Sequence, residues 1–262
     1  MLRDITLGQY YPVDSVIHRL DPRTKLLGTL LFIISLFCMD SAWGYGLAAL
    51  FLAVTIRLSK VPLKFMVRGL KAVLVLLLIS VSFNLFLTPG REIFRLGFLK
   101  ITWEGLRTAV FMAVRLIFLV LGSSVMTLTT TPNELTDGLE KGLGFLKKVG
   151  VPVHEVAMMM SIALRFIPIL IEEADKIMKA QMARGADFES GNIVQRAKSM
   201  VPLFISAFRR ATDLAMAMEA RCYRGGEGRT KMKPLRYHRR DRLAQLLLVL
   251  YLAAVIVLRV MI

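Results

Sequence analysis

The stretch Trp103–Leu128 constrains the fold most: its residues are mainly Val, Leu, Ile, Phe, Met and Ala, and Arg115 is the charge near its middle. A run of this kind matches the roughly 20 residues that carry a helix across a bilayer. A helix satisfies its own backbone in hydrocarbon, where a strand with open edges does not. Four further apolar runs, Leu26–Met39, Ala42–Ile56, Ala72–Leu87 and Leu243–Ile262, repeat the signal. The expected fold is therefore all-α, a polytopic membrane protein with about five transmembrane helices. The first two runs fall short of a full span, so flanking groups must snorkel or the bilayer must thin.

Charge orders these segments. The chain has a mean hydropathy of +0.58 yet carries 35 Lys and Arg against 19 Asp and Glu. A soluble domain rarely joins those properties, whereas a membrane protein with a basic cytoplasmic face does so naturally. A nucleic-acid partner is excluded, because too much of the chain is lipid-grade for a polar fold with one basic face. Arg57, Lys60, Lys64, Arg68 and Lys71 surround Pro62 in what reads as a short cytoplasmic connection. Thr88–Thr102, with Pro89-Gly90 and fewer cations, reads as an outer loop, and a tight outer turn is expected at Asp40. With the N-terminus inside, five crossings put the C-terminus outside the cell membrane, where Arg259 can snorkel. No removable signal peptide is expected. Cys38 and Cys222 lie in unlike surroundings, so no disulfide is expected.

Two positions stand out within this frame. Asp21 before Pro22 is a helix start, with a carboxylate to cap free amides and a proline in the first turn. Arg23 and Lys25 then read as anchors at the charged surface. Arg115 falls near mid-membrane, where a charge is costly; it is expected to face the bundle or a membrane partner.

The chain divides into residues 1–128, with four transmembrane helices, residues 129–242, a cytoplasmic region, and residues 243–262, a final span. Thr129-Thr130-Thr131-Pro132 is a capping signature for a short helix over Glu134–Lys148. Two long helices follow, about 152–184 and 193–222, with kinks expected at Pro168 and Pro202. The middle of the first, Val156–Ile171, has Arg165 as its sole charge and is placed in a partly embedded or protein-buried position. Each helix ends in an Ala-x-x-Ala-Arg word: Ala180 to Arg184 before Gly185, and Ala217 to Arg221 before Cys222. Small residues one turn apart bare a strip of backbone, and the Arg offers a planar fork of donors, a plug for an acidic socket. Gly185 is expected to supply a left-handed cap. Eight methionines, Met158, Met159, Met160, Met178, Met182, Met200, Met216 and Met218, concentrate on these helices. They either fill core gaps or form a docking face that repacks against several partners.

The residues offer little for catalysis. Gly225–Lys231 lacks the spacing of a phosphate-binding loop and reads as a basic connector. His18, His154 and His238 have no metal-type spacing, and no paired acidic motif for magnesium and a diphosphate is present. No cofactor, metal or catalytic residue is expected.

The segment His18-x-Leu20-Asp21-Pro22-Arg23-x-Lys25-Leu26, with Ala183-Arg184-Gly185 and Ala220-Arg221-Cys222, resembles the T component of energy-coupling factor transporters over essentially the whole chain. Cys222 departs from the Gly that is the commonest form. The resemblance implies a non-catalytic scaffold in a prokaryotic cell membrane that joins two ATP-binding-cassette ATPases to a small substrate-binding S component for vitamin or micronutrient uptake. It implies that Arg184 enters a groove on one ATPase and Arg221 the equivalent groove on the other. A cobalt or nickel importer subunit would share this architecture. An intramembrane lipid- or prenyl-processing enzyme is the alternative of another class, and it lacks the clustered acids or nucleophile it needs.

Overall fold

In the computed structural model, residues 9–39, 41–89, 91–96, 99–185, 200–225, 232 and 234–261 are described. They are overwhelmingly helical. In chain order they form α1 (Pro22–Phe37), α2 (Ala42–Ser59), α3 (Leu63–Leu87), strands β1 (Glu92–Leu96) and β2 (Leu99–Thr102), and α4 (Trp103–Thr129). Then come α5 (Pro132–Gly142), a 3-10 turn (Gly144–Val149), α6 (Val153–Ala183), α7 (Val201–Ala220) and α8 (Arg239–Met261). The expected turn at Asp40 lies outside the described residues, as do most of the connector over 225–231 and the start of the second long helix.

Two compact bodies result: residues 8–138 with 235–262, and residues 139–234. Among the described residues four helices are long and apolar enough to cross a membrane: Ala42–Ser59, Trp103–Thr129, Val153–Ala183 and Arg239–Met261. A fifth is added if α3, bent by 59° between Leu63–Lys71 and Val73–Phe86, counts as one span. The set differs from the sequence expectation at two points. α1, with 16 residues, is shorter than these helices, and the 31-residue α6 meets the same measure of length and apolarity.

In the first body α1 begins as its residues dictate. The Asp21 side chain accepts the Arg23 N–H at 3.0 Å and Pro22 occupies the first turn. α2 opens on Ser41, whose hydroxyl accepts the Gly44 N–H at 3.3 Å, and closes on Lys60, which takes a left-handed conformation (φ 54°). The connection expected around Pro62 is shorter than the sequence implied, because α3 already starts at Leu63. The reason is amphipathicity: Met66 is wholly buried and packs with Val61, Val125 and Leu128, so the cations around it ride on a helix. Between α3 and α4 lies an antiparallel hairpin in which Leu96 pairs with Leu99 and Arg95 with Lys100. Thr102 then caps α4 by accepting the Gly105 N–H at 3.1 Å.

The core lies among α1, α2, α4 and α8. Phe32, Leu36, Tyr45, Ala48, Leu52, Tyr251 and Val255 are buried together. Phe51 stacks on Tyr251 with centroids 4.4 Å apart, and the Tyr251 hydroxyl bonds the Ser35 hydroxyl at 2.8 Å. Phe32 lies so close to Gly122 that a Cβ there would meet the ring at 2.7 Å; a glycine is what lets α1 and α4 approach.

Arg23 and Lys25, expected at the surface, are instead tied inward. Lys25 is 7% exposed and its ammonium donates to Thr129 O at 2.8 Å and His18 O at 3.1 Å. Asp241, 1% exposed, accepts the Asp21 N–H at 2.7 Å and the His238 N–H at 2.8 Å. Arg23 lies 3.5 Å from the Asp21 carboxylate, donates to Leu235 O at 3.2 Å and covers the Tyr237 ring at 4.7 Å. The ends of α1, α4 and α8 are thus joined by one polar knot. Burial is tolerated because each charge meets an opposite charge or a dipole. Arg19, by contrast, is exposed and pairs with Asp14; the hydrogen bond and charge of Arg19 hold that carboxyl below its ordinary range.

Candidate docking site

The second body pairs α6 with α7. Glu173 on α6 accepts from the Ser206 hydroxyl and from Arg210, both of α7, and forms a clasp between the two helices. Glu173 and Arg210 each stand eleven residues before the Arg that ends their helix. At 1.5 Å per residue, both tips lie roughly 16 Å beyond the clasp. Pro168 lies within α6, whereas Pro202 stands in the first turn of α7, where its missing N–H is harmless, and not at a mid-helix kink.

The two words finish in one geometry. Arg184 caps α6, its N–H directed at Gln181 O and Met182 O, and Gly185 follows with φ 87° and donates to Met182 O at 3.0 Å. Arg221 caps α7, and Cys222 follows with φ 55° and donates to Glu219 O at 2.8 Å. Tyr223 completes the second cap with a bond to Met218 O at 3.0 Å. At the end of α7 these are the paired bonds of a Schellman cap, which ordinarily uses glycine at the left-handed position. Cys222 therefore reproduces the conformation of Gly185 at a cost of about 1 kcal/mol from Cβ crowding.

All six residues of the two words, Ala183, Arg184, Gly185, Ala220, Arg221 and Cys222, are exposed. Among the described residues neither guanidinium is paired with an acid. The shape is that of two cationic tips, each on a flat patch left by alanine. An arginine held this way gains most from a desolvated acidic socket, where a bidentate pair forms.

The methionines are not core. None of the eight is buried, and Met159, Met160, Met182 and Met216 are at least two-fifths exposed. With Phe204, Ile205 and Phe208, which are exposed on α7, they leave the second body with a wide apolar surface.

Arg115 belongs to the first body. Its Nε donates to the Tyr45 hydroxyl at 3.0 Å, its Nη2 donates to Met39 O at 3.0 Å, and its guanidinium lies 5.5 Å from the Phe37 ring. It satisfies the end of α1 and orients Tyr45, which stacks on Phe111. Among the described residues no three His, Cys, Asp or Glu side chains gather as metal ligands. Both cysteines are free. The residue that sequence reasoning missed is Asp241: one acid in a basic segment, placed three residues after His238 as a helix cap, was its only signal.

These features define a multi-pass helical membrane protein that carries a body of paired long helices with matched cationic ends. The family model described as CbiQ, cobalt transport protein, matches residues 14–232. Curated relatives named energy-coupling factor transporter transmembrane protein EcfT extend the match. That of Thermosediminibacter oceani is 59% identical over 239 residues, 90% of each chain. That of Clostridium kluyveri is 56% identical over 252 residues, 94% of this chain and 93% of the relative. That of Bacillus subtilis is 48% identical over 246 residues, 92% and 93% respectively. The chain belongs to the CbiQ/EcfT family, the transmembrane components of energy-coupling factor transporters.

Proposed function

We propose that this chain is the scaffold that couples two cytoplasmic ATPases to a small substrate-binding membrane subunit for vitamin or micronutrient uptake. The observation that carries the reading is the pair of matched caps, each presenting an exposed Arg at the same distance from the Glu173 clasp. Two like plugs on clasped rods suit two related acidic sockets. When nucleotide binding draws the ATPases together, the tips move with them and the rods pass the displacement on. ATP is hydrolysed by those partners, and this chain supplies no catalytic group. The coupling region falls within residues 129–242, and its exposed Met and Phe side chains are the surface offered to the substrate-binding subunit. By the positive-inside rule the basic ends of α1, α2 and α8 lie on the cytoplasmic side.

The test is Arg184→Glu and Arg221→Glu, singly and together, followed by co-purification with the ATPases. Each single variant is expected to weaken assembly, and the double variant to abolish it, because reversal sets like charges together in the socket. Full assembly and uptake by the double variant refutes the docking assignment. The cobalt transport description of the family model favours a metal-importing relative as the second reading. Identification of the small membrane subunit that co-purifies with the chain separates the two.

A further inference from the structure

A cavity of about 380 Å³ opens in the first body between α1, α2, α4 and α8, and its walls are almost wholly apolar. On α1 it runs from Thr24 to Phe32, and on α8 from Ala244 to Ala254. At 1.5 Å per residue these stretches rise roughly 12 and 15 Å. One leaflet of a bilayer has a hydrocarbon depth of about 15 Å. The groove therefore has the depth of a single leaflet and begins at the polar knot. Gly28 keeps it open: a Cβ there would meet nothing within 4 Å.

The rim at the knot is cationic. Arg57 and Lys60 at the end of α2, and Arg240 and Arg242 at the start of α8, are all exposed. The acids at this end are engaged already. Asp21 and Asp241 are buried against backbone N–H groups, Asp14, within charge reach of Lys60, is paired with Arg19, and Glu134 accepts the Thr131 N–H at 3.2 Å. Lys25, which also lines the groove, is committed to two carbonyls, so the free positive charge belongs to the exposed rim. An apolar slot one leaflet deep below such a rim complements an anion that carries a long alkyl chain.

We propose that this groove holds one acyl chain of an anionic phospholipid from the leaflet at the basic end, with its phosphate at the Arg57, Lys60, Arg240 and Arg242 rim. The site is independent of the ATPase-docking tips. It ties a lipid to the same helices that the Asp241 knot joins, and so makes the packing of α1 against α2 and α8 sensitive to the membrane.

The test is native mass spectrometry of the full chain extracted from vesicles of equal phosphatidylglycerol and phosphatidylcholine. The parent is expected to retain one phospholipid, with phosphatidylglycerol favoured about fivefold for each basic residue that engages it. Gly28→Leu fills the slot and is expected to lower retention about tenfold, the effect of excluding roughly two methylenes. Ala254→Leu, from the opposite wall, repeats the test should the first variant fold poorly, and far-UV circular dichroism reports folding for both. Arg57→Gln with Arg242→Gln is expected to bring the two headgroups toward parity while the chain is still bound. A parent without lipid overturns the proposal. So do parity of headgroups in the parent, unchanged retention in both filled variants, and a protein segment cross-linked from Leu250→Cys in place of lipid.

Discussion

Asp241→Ala removes the acceptor on which the knot closes. Its two oxygens take the Asp21 N–H at 2.7 Å and the His238 N–H at 2.8 Å, in a place where Asp241 is 1% exposed. A buried donor left without a partner costs about 1–3 kcal/mol; the Asp21 N–H is such a donor, whereas the His238 N–H, on an exposed residue, passes to water at little cost, so the expected loss is about 3 kcal/mol. That is a large share of the roughly 5–15 kcal/mol by which folded proteins exceed their unfolded states. Asp241→Asn keeps one acceptor oxygen, so the buried Asp21 N–H can retain its bond, and its loss is about 1 kcal/mol. The assay is unfolding of the full chain in mixed micelles by sodium dodecyl sulfate titration, followed by far-UV circular dichroism. A loss below about 1 kcal/mol for Asp241→Ala refutes the account of the knot, because the orphaned donor must then have found another partner. Equal losses for the two variants refute the assignment of one bond to each oxygen.

The caps make a mirrored pair of predictions. Cys222→Gly relieves about 1 kcal/mol of Cβ crowding and slows hydrogen exchange at the Tyr223 amide about fivefold, whereas Gly185→Ala frays the end of α6 by a similar factor. The clasp predicts a separation of effects. Glu173→Gln weakens a partly exposed ion pair, so it should cost under about 1 kcal/mol of stability. With the ATPases still bound, the ratio of substrate taken up to ATP hydrolysed in proteoliposomes should fall, and an unchanged ratio would show that the tips need no clasp.

The helices were largely legible because each is announced by local chemistry. Asp21-Pro22 fixes the start of α1, Gly185 marks the end of α6, and the apolar run after Trp103 gives α4 nearly residue for residue. α3 begins well before the apolar run at Ala72, because its cations read in sequence as a cytoplasmic connection while Met66 on the same helix is buried against Val61, Val125 and Leu128. The same limit applies to the knot. Lys25 resembles a surface anchor in sequence, and its partner Thr129 O is a backbone atom 104 residues away, which no pattern of side chains reveals. The two Ala-Arg words were visible as an echo, but their common left-handed cap was not, since Cys gives no warning that it will adopt the conformation of Gly.

The knot also bears on how the chain is made. Asp21 leaves the ribosome 220 residues before Asp241, and Lys25 emerges 104 residues before Thr129. At the usual pace of about 5–20 residues per second, the first of those intervals lasts on the order of 10–40 s. Throughout it the start of the opening helix lacks its Asp241 and Leu235 partners, and water, headgroups or the insertion machinery must stand in for them. Its insertion stays provisional until α8 is synthesised, so the first body acquires its finished packing only then.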